Sequence, residues 1–384
     1  MKLFSPINIV NFLKKSENLY NPHQRPRVIV APLDWGLGHT TRCIPIIREL
    51  IFLNCEVFIV ADKASFLLLK KEFPFVQFLQ FKGYEITYSQ RKRFFSLKLF
   101  FQIPAVFYKV LIEKRWLTKV IKQYSIDAVI SDNRFGMYSN KVPSFYITHQ
   151  LFIKTGSRFS EKIGQKIHYY FIKKYSACWV PDRENDGLAG KLSHPKILPP
   201  KTKYIGPLSR FKPIAHSDYI YDLLVILSGP EPQRTIFEDL LFRQIVNLKG
   251  KIMFVRGLPA ATEKPANFNR VTIENHIPSD ELNQLLAESR LVVCRSGYTS
   301  VMDLSVLQKK AILVPTPGQT EQEYLAEYLL EKQYFYTESQ KNFSIVDAIT
   351  KATSFPFKKP VLQMDEYRKI LAELVASLRA KMPK

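Results

Sequence analysis

The chain has 384 residues, 46% of them hydrophobic, and carries 56 Lys and Arg against 34 Asp and Glu, a formal net charge of +22. This length exceeds one ordinary core and suits two domains of roughly 150–200 residues, while the composition excludes disordered, collagen-like and disulfide-framed classes. The charge calls for an acidic partner: nucleic acid, anionic lipid or a phosphorylated substrate.

Residues 1–26 read as an N-terminal extension, interrupted by Pro6, Asn8 and Asn11 and without a leader-type cleavage pattern. Short apolar runs then alternate with amphipathic ones. Strands are expected at Arg27–Ala31, Cys55–Ala61, Phe75–Phe81, Asp127–Ser131, Ser144–Thr148 and Ala177–Val180, with Lys203–Ile205 as a final strand of this half. Helices are expected at Ile44–Leu53 and Ala64–Lys71, and His168–Trp179 reads as a packing helix. Residues 206–220 form a Pro- and Lys-rich linker.

The alternation then restarts. Strands are expected at Asp222–Leu227, Lys251–Val255, Val271–Glu274, Arg290–Cys294 and Ala311–Val314. Helices are expected at Gln233–Val246, Asp280–Glu288, Thr299–Leu307 and Thr320–Lys332, and Asp365–Ala380 reads as a closing helix. This is the pattern of βαβ units on parallel sheets. It predicts an α/β protein of two Rossmann-like lobes, 27–205 and 221–358, facing a cleft, with a helix in 359–384. The four cysteines, Cys43, Cys55, Cys178 and Cys294, have no CxxC spacing and fit buried thiols in a reducing compartment. No run of about 18 apolar residues is present, so the expected location is cytoplasmic.

Four stretches carry the candidate chemistry. In "APLDWGLGHTTRCIP" a strand runs into a helix through Gly36, Gly38 and His39. Glycines there permit positive φ and close approach of a ligand, and a histidine beside a helix N-terminus stays neutral, as a base requires. In "ILSGPEPQRT", Ser228, Gly229 and the following amides offer a phosphate cradle, with Arg234 near. In "VVCRSGYTSVMDL", Arg295, Ser296, Gly297, Tyr298 and Thr299 open a helix toward an anion, and Asp303 lies one turn further on, where its carboxylate suits ribose hydroxyls. In "VPTPGQTEQEYLAEYL", Gln319, Gln322 and Glu323 open a helix toward the same cleft. Each stretch alone also reads as an ordinary α/β turn, and Glu321 and Glu323 as partners of the helix dipole. Together they fall at C-terminal strand ends, where open α/β sheets bind ligands.

"CRSGYTSVMD" followed by "ILVPTPGQTEQEYLAEYL" resembles the donor-binding half of GT-B glycosyltransferases of family 28, and "GLGHTTRCIPIIREL" resembles that family's N-terminal glycine-rich loop and helix. The resemblance implies inverting transfer of a hexose or N-acetylhexosamine from a UDP-sugar to an acceptor hydroxyl; with no DxD and no histidines at ligand spacing, a site without metal or other cofactor is expected. It implies that Asp303 binds the ribose, that 296–299 meet the diphosphate, and that Gln322 contacts the donor sugar. The backbone near Ile277 then pairs with uracil, and His39 lies on the acceptor side. Asp132, in "SDNRFG", is the alternative base. Trp35 and Leu37 depart from the family's richer glycine loop, and Ala326 from an Asn of the lipid II-forming enzymes.

The excess charge concentrates in Lys82–Tyr124, where ten basic residues are interleaved with Phe94, Phe95, Phe100, Phe101 and Phe107. That pattern suits an anionic membrane surface and a lipid-linked or cell-envelope glycan acceptor, with peripheral placement on the inner membrane face; it equally suits a core helix with a solvated basic face. No nucleic-acid motif accompanies it, so no nucleic-acid partner is expected. The competing functions are a UDP-sugar 2-epimerase of the same architecture and a non-catalytic, basic nucleotide- or nucleic-acid-binding protein.

Overall fold

A computed structural model of the protein describes residues 25–34, 37–81, 95–155, 157–214 and 218–382, and for 95–105 the backbone alone. The first lobe runs β1 (Arg27–Pro32), α1 (Leu37–Phe52), β2 (Glu56–Val60), α2 (Lys63–Glu72), β3 (Gln77–Leu79), α3 (Phe95–Tyr124), β4 (Ala128–Asp132), β5 (Ser144–Ile147), α4 (Arg158–Ile172), β6 (Ala177–Val180) and β7 (Thr202–Tyr204). Its sheet has the order β3-β2-β1-β4-β5-β6-β7, parallel throughout.

The second lobe runs β8 (Tyr221–Ile226), α5 (Gln233–Ile245), β9 (Ile252–Val255), β10 (Val271–Glu274), α6 (Ser279–Glu288), β11 (Ser289–Cys294), α7 (Tyr298–Val306), β12 (Ala311–Leu313), α8 (Thr320–Glu331), β13 (Tyr336–Thr337) and α9 (Ile345–Ser354). Its parallel sheet has the order β10-β9-β8-β11-β12-β13. Strand order thus reverses beside β1 in one lobe and beside β8 in the other. The central strands are covered on both faces, which is why they read as continuous apolar runs: Val28–Ala31 and Val292–Val293 are wholly buried.

The chain passes between the lobes twice, and the two crossings touch. Gly206 (φ +73°) lies so close to Gln363 that an added Cβ would stand 2.8 Å from its carbonyl oxygen. After the second crossing α10 (Glu366–Arg379) returns to the first lobe, where Arg379 bonds the carbonyl of Leu53 at 2.5 Å and Arg368 lies 3.5 Å from Glu49.

Three differences from the sequence reading matter. First, α1 starts at Leu37, not Ile44, so Gly38 and His39 lie in its first turn rather than in a loop ahead of it. Gly38 is not a positive-φ residue; its bareness answers the approach of Thr299, whose Oγ1 would stand 3.4 Å from an added Cβ. Second, the expected helix at His168–Trp179 ends at Ile172, and Ala177 onward is β6, whose apolar run pairs with β5. Third, β13 and α9 were not expected: β13 has only two residues, too few to show a strand period. Gly36 and residues 82–94 lie outside the described residues.

Candidate active site

The first lobe builds its site at its topological switch point. Asp132 is the last residue of β4, beside β1, and α1 follows β1 directly. The first turn of α1 therefore brings His39 onto Asp132, with Nδ1 3.2 Å from Oδ1. Arg42 lies three residues on, over the same carboxylate. Its Nε donates to Asp132 Oδ2 at 2.5 Å, its Nη2 also donates to Oδ1, and Nη2 stands 2.6 Å from His39 Nδ1. Asp132 is 0% exposed and the Arg42 side chain 2%; that of His39 keeps 19%.

Electrostatics follow from this packing. Burial alone would raise the pKa of Asp132, but the charge of Arg42, then that of His39, holds it down to about 2. Asp132 is therefore a fixed anion with both oxygens engaged, able to orient His39 but not to take a proton itself. Burial, then the Arg42 charge, lowers the His39 pKa against the pull of Asp132, so the imidazole is neutral at pH 7.

The network continues into the other lobe. Arg42 Nη1 lies 3.0 Å from Nδ1 of His149, two residues past β5. His149 Nε2 lies 2.7 Å from Oε1 of Glu321, and Gln150 donates to Oε2 at 2.5 Å. Glu321 belongs to the first turn of α8. Although partial burial pushes the other way, His149, then His39 and Arg42, hold its pKa below the ordinary carboxylate value. The ring of Tyr298, first residue of α7, stacks on His149 at 4.3 Å. Thr299 donates to the carbonyl of Gly38 at 3.0 Å, and Thr320 to that of Lys154 at 2.6 Å.

The second lobe contributes helix starts rather than charge. Among the described residues neither N-cap, Gly297 of α7 or Gln319 of α8, makes a side-chain capping bond. Their first amides are free to meet an anion. Gly229 (φ +112°) follows β8 and faces Thr316, whose buried hydroxyl has no hydrogen-bond partner among the described residues. Ser296 donates to the carbonyl of Gln322 at 2.9 Å, tying the α7 loop to α8.

Several expected residues are placed differently. Arg234 and Arg295 are not poised over the glycine turns. Arg234 is bound to Glu231 and Glu238 at 2.5 and 2.9 Å, while Arg295 is buried and donates to carbonyls of Val314, Pro315 and Gln233. Gln322 is engaged by its own loop, accepting from the Thr316 amide and donating to Gln319. Asp303 is 5% exposed and accepts from Ser209 at 2.6 Å, with Arg210 at 3.6 Å; burial pushes its pKa up to about 6 in spite of Arg210. Ser228 is half-buried beside Gly229, and Ile277 is buried just ahead of α6. Sequence reasoning passed over Arg42, His149, Thr316 and Arg210. The available signal was position: His149 and Thr316 follow strand ends, Arg210 lies at the lobe junction, and Arg42 stands three residues after His39 on the same helix.

Residues 248–370 match the glycosyltransferase family 28 C-terminal domain. Over 299 residues the chain is 27% identical to UDP-N-acetylglucosamine--N-acetylmuramyl-(pentapeptide) pyrophosphoryl-undecaprenol N-acetylglucosamine transferase of Clostridium tetani (strain Massachusetts / E88), covering 72% of this chain and 75% of that one. In three dimensions it is similar to the spinosyn rhamnosyltransferase SpnG (TM-score 0.59, 14% identity, 93% of this chain and 97% of that one). It is also similar to MurG of Acinetobacter baumannii (TM-score 0.51, 13% identity, 93% and 95%). With two parallel lobes meeting at their switch points, the chain is a glycosyltransferase of GT-B architecture that resembles family 28 in its second lobe.

Proposed function

We propose that the protein transfers a hexosyl or N-acetylhexosaminyl group from a UDP-sugar to an acceptor hydroxyl, with inversion and without a metal ion. The observation that carries this reading is the opposition of the His39–Asp132 pair in one lobe to the uncapped start of α7 in the other, joined by the Thr299–Gly38 contact. A base and an anion-stabilising helix end on opposite walls of one cleft are what displacement at an anomeric carbon requires.

In this mechanism His39 Nε2 removes the acceptor proton while Nδ1–H is held by Asp132. The acceptor oxygen forms its bond to the anomeric carbon from the face opposite the departing UDP, through an oxocarbenium-like state. Negative charge growing on the β-phosphate is met by the first amides of α7, with the Gly229 turn and the Thr316 hydroxyl beside it. Asp303 exchanges the Ser209 hydroxyl for ribose hydroxyls, and the segment at Ile277 faces the base. Gln319 and Gln322 exchange their mutual hydrogen bond for donor-sugar hydroxyls. Calorimetric titration with UDP, GDP, ADP and dTDP tests the donor site. Selective UDP binding that is lost in Asp303→Ala supports it; absence of nucleotide binding by folded protein overturns it.

The acceptor in this proposal is a glycan or lipid-linked glycan reached at an anionic membrane surface. Among the described residues no helix is long and apolar enough to span a membrane. Phe107, Tyr108, Leu111 and Ile112 are nevertheless exposed on α3, and Phe159 and Tyr170 on α4. Contact between the Phe107 and Phe171 rings, 5.1 Å apart, brings these two helices together. Exposed Arg115 and Lys119 lie on α3, Lys166 on α4 and Lys174 in the turn that follows α4. Apolar side chains flanked by cations suit anionic headgroups. Co-sedimentation with anionic but not neutral vesicles, weakened in Tyr108→Glu, is the expected result; equal behaviour toward both vesicle types removes the membrane from the proposal.

A further inference from the structure

His39 Nδ1 has two suitors that ask for opposite protonation. Asp132 Oδ1, at 3.2 Å, can only accept, and so needs a proton on Nδ1. Arg42 Nη2, at 2.6 Å, can only donate, and so needs Nδ1 bare. The same logic fixes the rest of the chain of contacts. Glu321 is an anion and accepts from His149 Nε2, which leaves His149 Nδ1 bare to accept from Arg42 Nη1. With Arg42 anchored at Nη1 by His149 and at Nε and Nη2 by Asp132, the second Nη2 hydrogen is held against His39 Nδ1, the shorter of the two contacts that this ring nitrogen makes. In this arrangement the His39 proton resides on Nε2, where it can donate a hydrogen bond but cannot remove a proton from an acceptor.

We infer that Arg42 and His149 are positioning residues that decide which nitrogen of His39 is basic, and that they answer to Glu321 on the opposite lobe. While Glu321 is held by His149 and Gln150, Arg42 occupies Nδ1 and the base is disarmed. When Glu321 turns to donor-sugar hydroxyls, His149 keeps its Nε2 proton but loses the carboxylate that makes its Nδ1 a strong acceptor, so the hold of His149 on Arg42 Nη1 weakens. Arg42 then settles on Asp132 alone and leaves Nδ1, and His39 gives its Nε2 proton to water, takes one up at Nδ1 and donates it to Asp132, with Nε2 bare. The base is thus competent only with donor in place, which restrains its action on water in the unfilled cleft. The charged and titratable groups around His39 are Arg42 from α1, Asp132 from β4, His149 after β5 and, beyond it, Glu321 from α8 and the Tyr298 ring from α7.

This inference rests on His39 being the base, but its test needs no turnover. Nitrogen-15 NMR of histidine-labelled, substrate-free full-length protein reads the tautomer of each imidazole, with His39 assigned by its loss in His39→Asn. The expected wild-type state is protonated at Nε2. In Arg42→Lys, which keeps a cation beside the buried Asp132 but loses the forked contact, the bare nitrogen should move from Nδ1 to Nε2. Glu321→Gln tests the coupling at a residue whose side chain is 30% exposed and so is expected to fold. Its neutral amide removes the carboxylate from His149 Nε2, weakens Nδ1 as an acceptor for Arg42, and should move His39 in the same direction. A wild-type His39 protonated at Nδ1, or variants that both leave the tautomer unchanged, overturns the inference. Full turnover in His39→Ala would instead overturn the base assignment and leave the tautomer result standing.

Discussion

The two lobes share a fold and use it differently. Both order their first strands 3-2-1-4, and both place function where that order reverses. At the switch of the first lobe stand His39, Arg42 and Asp132, ionisable side chains bonded to one another in near-complete burial. At the switch of the second stand glycines and bare helix starts, with the lobe's own arginines engaged elsewhere. A moving proton needs side chains whose pKa values are set by burial and neighbours. A bound phosphate needs only oriented amides, which hold their geometry at any pH.

If that division holds, His39→Ala should show the largest effect: kcat lower by roughly 10²–10⁴-fold with UDP affinity little changed. Parallel loss of both, measured by kinetics and calorimetry, would erase the contrast between lobes. Next is Arg42→Met, which strands Asp132 as an uncompensated buried charge and should cost about 3–5 kcal/mol in urea unfolding.

A pH effect comes third. Asp303 binds its proton more tightly folded (about 6, against 3.8 unfolded), so its contribution to stability is full below pH 4, is lost as pH rises through 6, and is flat above. Two units correspond to roughly 3 kcal/mol. Asp34, also near 6, shares the window. Asp303→Asn should therefore flatten part of the decline in melting temperature between pH 4 and 6; an unaltered slope would mean that the carboxylate is solvated. The smallest effect belongs to Asp280→Ala, which breaks the exposed interlobe pair with Arg48 (3.3 Å) and should cost less than about 1 kcal/mol.

The buried strands were legible because apolar β-branched runs flanked by helical periods leave few alternatives, and their expected ends fall within two residues of those observed. The start of α1 was not, because glycines at 36 and 38 read as a loop when Gly38 in fact clears space for Thr299. His39 and Asp132 were each singled out, yet their pairing spans 93 positions and no local pattern encodes it. Glu321 read as a dipole partner of its own helix, since its contacts to His149 and Gln150 exist only once the lobes meet. Arg234 and Arg295 misled for the converse reason: a cation near a glycine turn suggests phosphate, but carboxylates and carbonyls of the same lobe took both.

The paired crossings at Gly206 and Gln363 have a mechanical consequence. A single tether would leave the lobes free to twist and slide; two crossings in contact act as adjacent pins of a door and favour rotation about one axis. Ser209 and Arg210, bonded to Asp303, fasten the connector to the second lobe just beyond the first pin. Two residues, Pro207 and Leu208, separate that fastening from the first pin, so the hinge between the lobes is short.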